Sequence, residues 1–453
     1  MNKGAARTLT SMTVEPQGSY GGGRLRDAGA TGVLVLLLHA GYIKASPLLA
    51  WVPADLTLLS GAAVLVACTL AVLRPGFQTP QGLGPVLMLF VCFIPAVIWS
   101  SDNPYATEKV GRLFTLTLLC AVATTLLVRT PRRVWWFVGW SLVAGFGMAI
   151  LARLAPSVEI VGTLALEGSN TIALGRATGA GLVAVGALVM TRRLPWPMGL
   201  PVALVLVVAM FSTGSRGPLV AAAVAAVIAV AVVGHSTPPF LRIVLVLSGL
   251  VAVTTWALAS TNESALHRIQ LLFAPDRGSS VDTRVRLFVE SVATTWRRWE
   301  GLGWGDLTER VPTYADVGFR LYSHNAILEA FAEGGLIAGV ALTATLVTGW
   351  RRLRAVAIDP TGATLLALFV YWTINGMVSG DLNDNRSMFA LIAAALASPQ
   401  VLGIRSHYAS VPALPGLEGA SKAIGLTVDE APASEVPVAA RSTAVTLTLN
   451  FRR

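Results

Sequence analysis

Apolar runs of about twenty residues, separated by short polar turns, recur along most of this 453-residue chain. Such a run is the length an α-helix needs to cross the hydrocarbon layer of a bilayer. Inside that layer every backbone N–H and C=O must be satisfied within the chain, so only helices or closed barrels can span it. The runs here are continuous, whereas barrel strands alternate, and an all-α, polytopic membrane protein is therefore expected. Composition agrees, because 13% of the residues are charged and soluble domains carry about 25%.

About twelve spans can be placed by length and apolar pattern, near 29–45, 55–73, 84–100, 108–128, 134–153, 171–190, 197–213, 216–234, 240–260, 324–349, 361–379 and 386–403. Residues 1–28 read as a disordered cytoplasmic tail and residues 404–453 as a second one. Nine spans fill 29–260, a polar loop occupies 261–323, and three spans fill 324–403. No cleavable signal peptide is expected. Arg74, Arg129, Arg132, Arg133, Arg192, Arg193, Arg242, Arg351, Arg352 and Arg354 fall in alternate turns. Positive residues mark the cytoplasmic side, which puts both termini inside and the 261–323 loop outside. The net charge of +10 has this topological cause and does not point to nucleic acid. Cys68, Cys92 and Cys120 lie within apolar runs and read as small buried hydrophobes.

The stretch 261–336 is the long polar interruption. From Asp282 onward Val285, Phe288, Val289, Val292, Trp296 and Trp299 recur at helical spacing. They predict an amphipathic loop helix capped by Asp282 and lying at the membrane interface. Arg284 and Arg286 belong to that helix. Arg176 stands at the end of the sixth span, and Arg216 follows Ser215 in the turn between the eighth span and its predecessor. An arginine at a membrane is expensive and is a functional candidate by default. The Ser215–Gly217 turn adds backbone N–H groups beside a guanidinium, which makes an anion-binding corner. The diphosphate of a lipid-linked intermediate suits that corner, because guanidinium groups match phosphate oxygens bidentately and stabilise the charge of a departing diphosphate. Snorkelling, or pairing with loop carboxylates, explains the same arginines without a ligand.

Among five histidines, His324 has patterned company in Asn325, Glu329 and Glu333. Two readings stand together. The imidazole is a base for an acceptor hydroxyl, or it is merely a polar residue where Ser323 or Asn325 caps a helix. Glu329 and Glu333 position an arginine or the acceptor, or form a structural pair. Asp381, Asn383, Asp384 and Arg386 fill the last outside loop and either line the same cavity or form a solvated loop, with the solvated loop as the default reading. Trp304, Tyr314 and Tyr322 read as sugar-stacking groups or as interface anchors. No HExxH, P-loop, cysteine pair or Asp-x-Asp is present, so no metal and no cofactor are expected.

Ser215-Arg216-Gly217, the Arg-rich loop helix, Gly301-Leu-Gly-Trp-Gly305 and His324-Asn325-x-x-Leu328-Glu329-x-x-x-Glu333-Gly-Gly-Leu336 together resemble the O-antigen ligase / O-antigen polymerase superfamily. That group includes protein O-oligosaccharyltransferases and exopolysaccharide polymerisation proteins. The resemblance spans 30–403 and is densest over 205–340. It implies a C-type glycosyltransferase-like architecture and a metal-independent transferase in the bacterial cytoplasmic membrane. The donor it implies is a glycan on undecaprenyl diphosphate, presented on the extracytoplasmic side. The acceptor is a hydroxyl of a glycan, lipid or protein, and other envelope-polysaccharide assembly proteins are expected as partners. The resemblance also gives His324 the role of activating the acceptor. Arg216, Arg284, Arg286 and Arg176 are to bind the diphosphate, with Ser215, Asn325, Glu329 and Glu333 as positioning residues. Ligase and polymerase both fit. A transporter of anions or bicarbonate is the rival from another class, and it should show inverted repeats and polar groups at the bilayer midplane, which this sequence lacks.

Overall fold

A computed structural model describes residues 22–44, 46–52, 54–155, 163–167, 169–233, 279–307 and 323–403. Among them are helices and turns and no strand. The helices are α1 (Gly22–Ile43), α2 (Leu56–Val72), α3 (Leu83–Val91), α4 (Pro104–Arg112), α5 (Leu118–Leu127), α6 (Pro131–Leu154) and α7 (Thr171–Met190). After them come α8 (Trp196–Ser212), α9 (Arg216–Val233), α10 (Ser279–Arg297), α11 (Ala326–Ala332), α12 (Gly335–Val356), α13 (Pro360–Val378) and α14 (Arg386–Val401).

Helix starts follow local chemistry. The Asp55 carboxylate accepts from the N–H groups of Thr57 and Leu58 and starts α2. Asn103, Thr130, Asn170 and Asp359 do the same for α4, α6, α7 and α13. Proline occupies the first turn of α4, α6 and α13, where its missing N–H costs nothing.

Pro104–Leu127, in which a π-helical turn (Leu113–Thr117) joins α4 to α5, is one of four described helices long and apolar enough to cross a membrane. Pro131–Leu154, Thr171–Met190 and Pro360–Val378 are the others, and four shorter apolar helices accompany them. The span expected at 240–260 lies outside the described residues. Burial ranks the helices: 78% of the apolar window of α13 is buried and 67% of that of α7, against 44% for α6. So α13 and α7 form the centre of the bundle. Peripheral α2 leaves Leu58, Leu65 and Leu70 more than half exposed, as lipid-facing positions should be.

Three boundaries differ from the sequence reading. Helix α1 begins at Gly22, within the expected tail. Asp27 on its first turns pairs with Arg133 of α6 at 2.6 Å, and that ion pair draws the polar end into the bundle. Helix α10 begins at Ser279, so Asp282 lies inside it instead of capping it. Its apolar side is outward, as an interfacial helix requires: Val285, Phe288, Val289, Trp296 and Trp299 are exposed while Leu287 and Ser291 are buried. Third, the span expected at 324–349 is broken. α11 ends at Ala332 and α12 restarts at Gly335.

The break is filled by the Gly301–Gly305 loop. Leu302 N–H donates to Ala332 O and Gly303 N–H to Glu333 O, each at 3.0 Å, and Leu336 N–H returns a bond to Trp299 O. The carbonyls released at the end of α11 are thus satisfied by the loop. Gly335 has φ +79°, and a Cβ there would collide with the Glu300 carbonyl. Gly335→Ala is therefore expected to destabilise the protein by about 1–3 kcal/mol. Gly84→Ala, a helical glycine with open space around it, should be neutral or slightly stabilising. Thermal unfolding of the two variants in detergent compares them.

Candidate functional site

The Ser-Arg-Gly turn is built by its neighbours. Gly214 takes φ +62° after α8. The Thr213 hydroxyl donates to Met210 O at 2.7 Å and accepts from Ser215 N–H at 3.1 Å. Arg216 then opens α9, half-buried. The turn packs on α7: a Cβ on Gly175 would lie 3.2 Å from the Pro218 ring and 3.3 Å from Ser215 Cβ. On its other side Gly217 faces Val378, at the end of α13.

Arg176, one residue beyond Gly175, is 2% exposed. Its guanidinium donates to Asn375 O at 3.2 Å and to Ser379 O. Gly380, at φ +79°, is small enough to leave that guanidinium its place. Arg284 of α10, half-buried, donates to Val378 O at 3.3 Å. The C-terminal carbonyls of a helix carry partial negative charge, so the last turn of α13 is where guanidinium groups from α7 and α10 converge, beside the turn that carries Arg216.

His324 faces this group. Its backbone has φ +54°, a left-handed conformation uncommon for any residue but glycine and costing about 1–3 kcal/mol. The helix cap is supplied by its neighbour: Asn325 Oδ1 accepts from Ile327 and Leu328 N–H, each at 3.1 Å. The Ser323 hydroxyl donates to Asn325 O at 2.9 Å. Of the two roles read from the sequence, capping thus falls to Asn325. Burial, and then the nearby Arg284 and Arg176 guanidinium groups, push the His324 imidazole down to about 4 from an ordinary 6.5. The ring is therefore neutral at physiological pH and able to accept a proton.

Beneath His324 a second cluster holds α11. Lys109 Nζ lies 2.6 Å from Glu329, 2.5 Å from Glu333 and 3.2 Å from Asp381, and all four side chains are at most 5% exposed. Glu333 also accepts from Gly305 N–H at 2.8 Å, and Glu329 from Leu382 N–H at 3.0 Å. Tyr105 donates to Asp381. The cluster therefore ties α4, the Gly301–Gly305 loop, α11 and the 381–385 turn to one another.

Arg176, the Ser215–Arg216 turn, Arg284 and His324 thus meet, while Arg286 is exposed on the other side of α10. Glu329 and Glu333 pair with Lys109 and not with an arginine. Asp381 and Asn383 are buried instead of solvated, because the 381–385 turn closes over Lys109. Trp304 is fully buried and donates from its indole to Phe93 O at 3.0 Å, so it neither stacks on sugar nor anchors at an interface. Tyr314 and Tyr322 lie outside the described residues. Reading from sequence alone counts Lys109 only as a charge of a short outside loop and gives it no site role, although a lysine a turn and a half into a 24-residue apolar helix is itself a signal.

Residues 201–343 match the family described as O-antigen ligase. The match covers the Arg216 turn, α10, the Gly301–Gly305 loop and the His324 segment, and it bears out the superfamily resemblance. It supports a membrane glycosyltransferase of the ligase/polymerase family. A search of curated proteins finds no match.

Proposed function

We propose that the chain, whose residues 201–343 match the O-antigen ligase family, moves a glycan from undecaprenyl diphosphate to a hydroxyl acceptor. The reading takes the enzyme as a metal-independent ligase of C-type glycosyltransferase-like architecture. It has about twelve spans, both termini in the cytoplasm, and the 261–323 loop outside the cytoplasmic membrane, with the active site on that side. Other envelope-polysaccharide assembly proteins are its expected partners. The observation that carries the proposal is the meeting of a neutral, half-buried histidine with three arginine-bearing elements at the last turn of α13.

The diphosphate sits against Arg216 and Arg284, with the Ser215 turn contributing N–H groups. Arg176, committed to the α13 carbonyls, fixes that floor and adds positive charge. The acceptor oxygen attacks the anomeric carbon as the bond from that carbon to the diphosphate oxygen breaks. The bonding pair leaves with the diphosphate, the acceptor proton goes to the His324 imidazole, and the anomeric configuration inverts. Guanidinium groups hold the charge that develops on the leaving group. An arriving diphosphate also offsets the arginines that depress His324, so the base strengthens when the donor is in place.

That coupling predicts a split pH profile. The acid limb of kcat/KM, which reports the free enzyme, is expected near 4. The limb of kcat, which reports the donor-bound enzyme, is expected at higher pH. A kcat/KM limb at the ordinary 6.5 speaks against the buried base. The direct test is transfer by the purified protein in liposomes, with a polyprenyl-diphosphate glycan as donor. Glycan joined to a different acceptor marks a ligase. Extension of the donor's own glycan marks a polymerase, and no transfer with either acceptor overturns the proposal.

A further inference from the structure

The end of the bundle remote from His324 carries a second group of arginines. Helix α6 runs 24 residues from Pro131 to Leu154, about 36 Å, before the chain turns into α7 and brings Arg176 to the His324 group. At the start of α6 lie Arg129 and Arg133, with Arg26 of α1 and Arg74, which follows α2. The charges of Arg26, Arg133 and Arg129 are near enough to act on Arg74, and Asp27 is the carboxylate that acts on it. Asp27 is already taken by Arg133, accepting from Nε at 2.9 Å and from Nη2 at 2.6 Å. The remaining Arg133 nitrogen donates to Leu127 O at 3.2 Å. Arg129 lies over the Phe77 ring, 5.1 Å from its centroid, and donates to Gln78 O at 2.7 Å. Arg26 is exposed and Arg74 half-buried, and neither guanidinium has an acceptor among the described residues. Burial, and then the Arg26 and Arg133 charges, hold the Arg74 pKa below its ordinary value.

Orientation in the membrane needs positive residues on one side, and it does not need them crowded together. Like charges this close repel, and a half-buried guanidinium without an acceptor adds to the cost. An anion removes both penalties, and the surroundings say which anion. Leu70 and Val66 stand one and two turns before Arg74 on the same stripe of α2. They are 53% and 59% exposed, so Arg74 ends a lipid-facing surface. A soluble anion makes no use of that apolar stripe, whereas a phospholipid matches both parts. We propose that Arg26, Arg74 and Arg129 seat the phosphodiester of an anionic phospholipid, whose acyl chains lie along Leu70 and Val66. Guanidinium forks match phosphate oxygens bidentately, and Phe77 and Gln78 already hold Arg129 in place. A zwitterionic lipid brings no net charge to offset the cluster. The arginine bias of the turns assigns this end to the cytoplasm, where basic pockets between membrane helices collect anionic headgroups. The bound headgroup bridges α1, α2 and the turn between α5 and α6, so its binding also stabilises the bundle. The site uses no residue of the transferase reading and stands or falls independently of it.

The test is native mass spectrometry of the full-length protein released from detergent micelles that contain dioleoyl phosphatidylglycerol or dioleoyl phosphatidylcholine. Phosphatidylglycerol should be retained saturably and phosphatidylcholine should not. Arg26→Gln, at an exposed position of α1 that folding does not depend on, should weaken retention about fivefold. Arg26→Gln combined with Arg74→Gln should weaken it more than about tenfold. Arg351→Gln removes an exposed charge at the end of α12 and should leave retention unchanged. Equal retention of the two lipids, or an equal loss in Arg351→Gln, reduces the effect to diffuse surface charge and overturns the seat. Inorganic phosphate that displaces the lipid at equal concentration overturns the lipid and leaves a free-anion site. Thermal unfolding in phosphatidylcholine nanodiscs gives the second readout. Adding phosphatidylglycerol to the nanodiscs should raise the Tm of the wild type and not that of the double variant. A rise that the double variant keeps overturns the site as well.

Discussion

His324→Asn should cut glycan transfer by about 10²- to 10⁴-fold, the range for loss of a general base, and leave the folded protein in the membrane at wild-type abundance. Asparagine is the informative substitution, because it tolerates the left-handed backbone that His324 adopts at φ +54°. A structural histidine would then be replaced at little cost, and a catalytic one would not. His324→Gly goes further: it relieves the backbone conformation altogether, so thermal stability should hold or rise slightly while transfer is lost. The readout is the attachment and length of surface polysaccharide in a deletion strain complemented with each variant. Arg286→Ala, on the exposed side of α10, is the matched control and should behave like wild type. Full polysaccharide in the His324→Asn strain would remove the base from the mechanism. Lost polysaccharide together with lost protein would return His324 to a purely structural role.

The contrast between Arg284 and Arg286 shows what periodicity carries and what it leaves out. Apolar spacing placed the loop helix and gave it an interfacial face, because a helix exposes every third or fourth residue on one side. It could not say which of two arginines, two residues apart, would turn inward. That depended on where the end of α13 lay, nearly a hundred residues on. The broken span at 332–335 was similarly hidden. Apart from Glu329 and Glu333 its residues are apolar or small on both sides of the break, and the conformation is set by backbone bonds from the distant Gly301–Gly305 loop. By contrast the family resemblance rested on local patterns, the Ser-Arg-Gly turn and the His-Asn segment, and these survive without tertiary information. The mixed carboxylate and arginine loop at 381–386 looked solvated because its charges are dense. Density alone does not distinguish a wet loop from one that closes over a buried lysine.

Lys109→Met is expected to cost about 3–5 kcal/mol, the range for removing one partner of a buried ion cluster. Lys109 is the cation the three carboxylates of Glu329, Glu333 and Asp381 converge on, with almost no exposure to water. Without it, the buried carboxyl groups remain without a counter-charge in a site that cannot solvate them. Glu329→Gln should be far milder, about 1 kcal/mol: Lys109 keeps Glu333 and Asp381 as partners, and the amide keeps an acceptor for Leu382 N–H. Coupling between the sites should show in the double variant. Lys109→Met with Glu333→Gln removes one positive and one negative charge together, keeps an acceptor for Gly305 N–H, and should recover part of the loss in a double-mutant cycle. Thermal unfolding in detergent gives the order expected: wild type, Glu329→Gln, the double variant, then Lys109→Met. An unchanged Tm for Lys109→Met would mean that water reaches the carboxylates and the cluster is not closed. The consequence for function follows from position. Glu329 lies within, and Glu333 closes, the helix whose first turn Asn325 caps and His324 precedes, so loosening the cluster displaces the base relative to the arginines. Glu329→Gln should therefore retain transfer, and the double variant should lose more transfer than its recovered stability alone would suggest.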